Sequence, residues 1–275
     1  MSVQVTFHGT RGSVPVSGFH AGSTGGNTSC VQIDLPDAVL ILDAGTGIRV
    51  AGAQLRNDTR PIYLLLSHPH WDHIQGFPFF EPAYDQSRCV RIVVPGHREW
   101  AELLLGQIDG VRFPVDRSRL TADLEVLDRI EDTGSVAGCR IRTVDANHPG
   151  HCLGYRIETG AGSVVYLTDN ELQPPVPDAG TISDFEAFCS GAGLLIHDAQ
   201  YTDGDLPGKA GWGHSTGLQA TELGVRSGVG TVALFHHDPE RSDAEVMEME
   251  GRCRNAARGS ATRVLAARDG VSLRL

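Results

Sequence analysis

Several things are scarce in this 275-residue chain. Its six cysteines, Cys30, Cys89, Cys139, Cys152, Cys189 and Cys253, include no C-x-x-C pair. That scatter excludes the usual cysteine-built zinc knot, speaks against a disulfide framework and points to reduced thiols. Lysine is all but missing: Lys209 stands alone, and 34 acidic residues outnumber 23 basic ones for a formal charge of −11. Affinity for a polyanion rests largely on basic side chains that displace counterions, so the overall charge gives nucleic acid no help. No apolar run approaches bilayer length, and "MSVQVTFHGTRG" lacks the basic region and apolar block of a signal peptide. A soluble cytoplasmic protein is expected. Low-complexity tracts, long linkers and repeats are also absent, while 40% hydrophobic residues suffice for a sizeable core. One domain over 1–275 is the expectation.

What is present is a series of short β-rich runs, most of them ending in glycine, aspartate or histidine. They are "VQVTFHG", "SCVQID", "AVLILDAG", "IYLLLSH", "RIVVPG", "CRIRTVDANH", "CLGYRIET", "SVVYLTD", "LLIHDA" and "TVALFHH". Helical stretches interrupt them. Trp100, Leu104 and Ile108 fall on one helical face, and Thr216 with Gln219 and Ser242 with Glu245 have capping-box spacing. The second box opens a helix with Val246, Met249 and Cys253 inward. An α/β protein with many strands follows, its polar donors gathered at one edge of a sheet sandwich. Residues 106–138 and "PPVPDAGTIS" (174–183) read as surface excursions.

One stretch, "SHPHWDHIQG", places His68, His70, Asp72 and His73 within six positions after an apolar strand. Imidazole and carboxylate donors without cysteine suit zinc, manganese or iron in a catalytic site. On a loop leaving a buried strand, His68 and His70 can face one ion while Asp72 and His73 turn toward a second. His148, Asp169 and one of the adjacent His236 and His237 also follow apolar runs.

H-x-H-x-D-H after a strand resembles the signature of the metallo-β-lactamase superfamily. "GTRGSVPVSG", "GGNTSC", "ILDAGTG", "TDNE", "IHDAQY", "GHSTGLQA" and "LFHHDP" look like its phosphodiesterase branch, which holds ribonuclease Z and cyclic-phosphate hydrolases. The resemblance implies a four-layered αββα sandwich with two divalent ions at its edge, zinc first and manganese or iron as alternatives. It implies His68, His70 and His148 on one ion, Asp72, His73 and His236 on the other, and Asp169 bridging. His236 is favoured over His237 because the family's ligand directly follows the last strand, leaving His237 as an outer or substrate group.

The resemblance also implies catalytic roles for Asp72, which orients and deprotonates water, and for His214, which protonates the leaving oxygen. The partner of His214 in ribonuclease Z is a glutamate in H-E-A; here Asp198 of "HDAQ" stands there, one methylene shorter, so its reach to His214 is open. Asp43 either holds a ligand histidine or shapes a turn with Gly45 and Gly47. Asn27, Gly25 and Gly26 read as a tight loop beneath the site, and Phe77, Phe79, Phe80 and Tyr84 as core rather than base-stacking groups. His8, His20, His97, His151 and His197 have no assigned role.

The expected activity is metal-dependent hydrolysis of a small phosphodiester, a cyclic nucleotide or related cyclic phosphate. Ribonuclease Z-like tRNA 3′ processing is the alternative, set back by the acidic total and by a short 174–183 excursion where an RNA-gripping arm would lie. Thioester or lactam hydrolysis and a non-catalytic metal sensor are further alternatives. Homodimerisation is a family-level expectation, with 106–138 as a contact or lid.

Overall fold

The computed structural model describes residues 2–18, 22–129, 135–176 and 179–275. The first sheet contains β1 (Gln4–Gly9), β2 (Cys30–Asp34), β3 (Val39–Leu42), β4 (Ile62–Leu65), β5 (Cys89–Val93) and β6 (Asp123–Leu127). The second contains β7 (Ser135–Val136), β8 (Cys139–Asp145), β9 (Leu153–Thr159), β10 (Gly162–Leu167), β11 (Leu194–Asp198), β12 (Thr231–Phe235) and β13 (Arg263–Ala266). A last strand, β14 (Ser272–Arg274), returns to the first sheet beside β1. The orders are β14-β1-β2-β3-β4-β5-β6 and β13-β12-β11-β10-β9-β8-β7. In each sheet antiparallel pairing gives way to parallel pairing, from β3 to β6 and from β10 to β13.

Among the described residues seven α-helices connect the strands: α1 (Ile48–Gln54), α2 (Trp71–Ile74), α3 (Arg98–Leu105), α4 (Ile182–Cys189), α5 (Leu206–Lys209), α6 (Gly217–Arg226) and α7 (Asp243–Ala256). Strand periodicity sets the layers. Val164 and Tyr166 of β10 face one core, shared with Val5, Phe7 and Val31 of the first sheet, while Val165 and Leu167 face a second core with Phe185, Leu223 and Met249 of α4, α6 and α7. β11 and β12 alternate likewise, since successive side chains leave a strand on opposite faces. Trp100, Ala101 and Leu104 of α3 pack on the first sheet. The result is the expected helix–sheet–sheet–helix layering.

Both capping boxes form, Thr216 with Gln219 and Ser242 with Glu245, and Val246, Met249 and Cys253 are buried as anticipated. Two expectations need correction. Ile108 is buried but lies beyond the end of α3. Residues 106–138 are no excursion, because they supply β6 and β7, an edge strand of each sheet. Residues 130–134 of that stretch, residues 177 and 178 of the second one, and His20 lie outside the described residues.

Candidate metal centre

The C-terminal ends of strands from both sheets meet at one site. β4 leads into Ser67 and His68, and α2 begins directly after His70, turning Asp72 and His73 back beneath the loop. β8, β10 and β12 lead into His148, Asp169 and His236. Donor atoms of His68, His70, His148 and Asp169 lie within 4.8 Å of one another, as do those of Asp72, His73 and His236. The two groups share a wall. Asp169 Oδ2 is 3.7 Å from Nε2 of both His68 and His148, while its Oδ1 is 3.2 Å from His73 Nε2 and 3.3 Å from His236 Nε2.

Divalent metal fits this arrangement on a structural ground. The Nε2 atoms of His68 and His73 are buried and make no hydrogen bond. Orphaned buried nitrogens aimed at carboxylates are costly unless a cation completes them. Their opposite ring nitrogens are tied down, which fixes the tautomer that leaves Nε2 free to ligate. His73 Nδ1–H donates to Asp43 at 2.7 Å; His68 Nδ1–H donates to Ser67 Oγ at 3.0 Å, and Ser67 Oγ–H donates to Asp43 at 2.8 Å. Tyr166 donates to the same carboxylate at 2.7 Å. Asp43 is therefore a histidine-holding group, fully buried. His148 Nδ1–H donates to Gly213 O at 3.1 Å and His236 Nδ1–H to Gln200 Oε1 at 3.1 Å.

Backbone strain collects here too. Asp43 (φ 62), Asp169 (φ 47), His236 (φ 60) and Ser13 (φ 64) all adopt left-handed backbone. Each such residue costs on the order of 1 kcal/mol or more, and such conformations persist where the surroundings over-determine them. Ser13 uses its geometry to donate its backbone N–H to Asp72 Oδ2 at 2.7 Å. Gly12 packs on His236, where a Cβ would sit 2.5 Å from the ring.

The dyad also forms. His214 Nδ1–H donates to Asp198 Oδ2 at 2.7 Å, so the shorter carboxylate reaches its partner. Burial opposes the Asp198 charge, but the adjoining His214 and His236 outweigh it and hold the carboxyl well below its ordinary range. The His214 ring lies 5.3 Å from His148 and 5.2 Å from His236, between the two donor groups.

His236 and His237 separate cleanly. His236 joins the cluster, whereas His237 is wholly buried and its Nε2–H donates to Ala267 O at 2.9 Å, with burial pushing the imidazole down to about 4. The expected outer or substrate role for His237 is replaced by a structural one. Gly26 and Asn27 donate their amides to Asp269, confirming a braced loop. Phe77 and Phe80 are core; Phe79 is exposed and packs edge-to-face on Phe113. His8 binds Gln32, and His197 binds the Asp198 carbonyl.

Sequence reasoning missed two aromatics. Trp71, wedged between His70 and Asp72, is 81% exposed, and Trp212, beside Gly213, is 61% exposed. Large apolar groups left in water at the mouth of a site are candidates for ligand contact. The signal for Trp71 lay inside the histidine motif itself.

A family model for the beta-lactamase superfamily domain matches residues 39–237. Ribonuclease Z of Haloarcula marismortui is 24% identical over 322 residues, covering 100% of this chain and 97% of that protein. Ribonuclease Z of Exiguobacterium sibiricum is 25% identical, covering 82% and 88%. Two solved structures share the fold. The metallo-beta-lactamase fold protein YhfI from Bacillus subtilis superposes with a TM-score of 0.68 at 20% identity, covering 100% of this chain and 99% of the other. A diphosphatase of the PhnP family gives 0.68 at 18%, covering 100% and 98%.

Proposed function

The chain belongs to the metallo-β-lactamase superfamily, and from that premise we propose that it is a dinuclear metal-dependent phosphodiesterase. The observation that carries this reading is Asp169, whose two oxygens face two separate donor groups beside a carboxylate–imidazole pair. His68, His70 and His148 would hold one ion, Asp72, His73 and His236 the other, with Asp169 between them; zinc is our first choice. Divalent ions held there would supply Lewis-acid charge for a phosphoryl oxygen and would acidify an attacking water. Asp72, fixed by the Ser13 amide, orients that water and takes its proton. His214, held through Nδ1 by Asp198, presents Nε2 and gives a proton to the leaving oxygen. A thioester or lactam hydrolase has less need of this second acid.

For the substrate, RNA takes precedence over the small cyclic diester favoured by the acidic total and the short 174–183 excursion, because the full-length curated relatives are named ribonuclease Z. Exposed Trp71 and Trp212 suit unpaired nucleobases, which stack on aromatic rings. A small diester is the second reading. It is favoured by the −11 charge, and by a cavity of about 300 Å³ beside His148, which is small for a ligand site.

The deciding experiment offers metal-reconstituted protein a precursor tRNA and, separately, 3′,5′-cyclic nucleotides. Cleavage of the precursor at its 3′ trailer supports the RNA reading. Turnover of cyclic nucleotides with the precursor left intact reverses the order.

A further inference from the structure

Glu171 is a buried carboxylate, 3% exposed, to which the proposed chemistry gives no task. Its oxygens accept the backbone N–H of Gly211 at 2.9 Å and of Gly213 at 2.9 Å. Both glycines have left-handed backbone, at φ 87 and φ 88, so the 211–213 turn is bent around the carboxylate. Gly213 in turn accepts the Nδ1–H of His148 through its carbonyl, and a Cβ there would stand 2.2 Å from that nitrogen. The next residue is His214. Glu171 also exchanges two hydrogen bonds with Asn147, the neighbour of His148: its amide donates to Asn147 O at 3.0 Å, and its carbonyl accepts from Asn147 Nδ2 at 2.9 Å. One residue beyond, Leu172 N–H donates to Ser215 Oγ at 3.1 Å.

We infer that Glu171 is a positioning residue: by gripping the Gly211 and Gly213 amides it fixes the backbone that carries His214, the proton donor, and orients His148. The inference rests on the phosphodiesterase reading for its kinetic consequence, but its structural core does not. The carboxylate is suited to the task. Two backbone N–H groups pointing at an anion make charge-assisted bonds about twice as strong as neutral ones, so a three-residue turn with two glycines is held in one conformation. Asp198 fixes the His214 ring from one side; Glu171 fixes the backbone from which that ring projects.

The test uses Glu171→Gln, isosteric but no longer anionic, with Glu171→Asp as the conservative variant should the first fold poorly. Two readouts are needed. The first is amide hydrogen exchange at Gly211 and Gly213 in metal-loaded protein, which requires no activity; the expected result is exchange faster by about tenfold, with metal stoichiometry retained. The second is the dependence of kcat/KM on the leaving group across aryl methyl phosphodiesters from p-nitrophenyl to phenyl. A poor leaving group needs the proton from His214 and a good one does not. The p-nitrophenyl ester should therefore change by no more than about threefold and the phenyl ester fall by about a hundredfold, with Glu171→Asp in between and His214→Ala showing the same steepened dependence. Equal losses across the series would overturn the positioning role while leaving the phosphodiesterase reading intact. Unchanged exchange at Gly213 would overturn the tether itself. Failure of the wild-type protein to cleave any ester, with exchange still accelerated, would remove the phosphodiesterase reading and the kinetic role together.

Discussion

Asp43 shows how much rests on single side chains around this site. It accepts from His73, Ser67 and Tyr166, and through Ser67 it also orients His68, so one carboxylate sets two proposed ligands. Replacing it with alanine should weaken metal affinity by about 10- to 100-fold, measured by competition with a chromogenic chelator. Affinity equal to wild type would show that the histidines are held without it. Trp71→Ala should leave metal content unchanged while raising KM for a nucleotide substrate by about tenfold, the value of one lost base stack. An unchanged KM on the preferred nucleotide would assign Trp71 to something other than substrate. At this scale the sequence was informative wherever a donor followed an apolar strand. Spacing alone could not separate His236 from His237, which only the resemblance ranked, because it is the Ala267 carbonyl, a tertiary partner, that claims the second imidazole.

Among the elements, the ten strands legible in the sequence are the interior ones. The four that were not, β6, β7, β13 and β14, are the four edges of the two sheets. Edge strands meet water along one side, so β14 and β6 show exposed or partly exposed residues throughout where β3 is buried at every position. In β6 and β14 no continuous apolar run gave a signal to read. Helix α6 matters because it begins three residues after His214 with a complete capping box at Thr216. Thr216→Ala should cost about 1 kcal/mol in chemical denaturation; no loss would mean that tertiary packing alone holds this helix start.

Asp269 links the loop before β14 to the 24–27 loop, accepting from Thr10, Gly26 and Asn27. Burial nevertheless raises its carboxyl to about 6. A carboxyl whose pKa is higher folded than unfolded contributes stability that is full below the unfolded value of 3.8 and lost as pH rises through about 6. Wild-type protein should therefore lose stability relative to Asp269→Asn between about pH 4 and pH 6, and the difference should level off above pH 7. A stability difference that stays flat across that interval would mean that the three donors cancel the cost of burial.

For the whole molecule, two sheets that each change from antiparallel to parallel pairing bring their parallel strand ends to one rim, and every proposed ligand follows such an end or the end of β8, which lies beyond β9 and runs in the same direction as β10. The layering was legible because β10, β11 and β12 are apolar on both faces, one face toward each core. The substrate was less legible. Overall charge gives RNA no help, yet charge averaged over 275 residues says little about one rim. Among the described residues no helix is long and apolar enough to cross a membrane.

The central claim is that this chain is a phosphodiesterase whose two donor groups, joined through Asp169, would hold two divalent cations. The most direct measurement counts bound metal and follows bis(p-nitrophenyl) phosphate hydrolysis on the same reconstituted sample, with Asp72→Ala alongside. Two ions per chain, turnover in wild type and loss of turnover by at least about a hundredfold in Asp72→Ala are the predicted result. Two ions firmly bound with no hydrolysis of this or any other diester would contradict it.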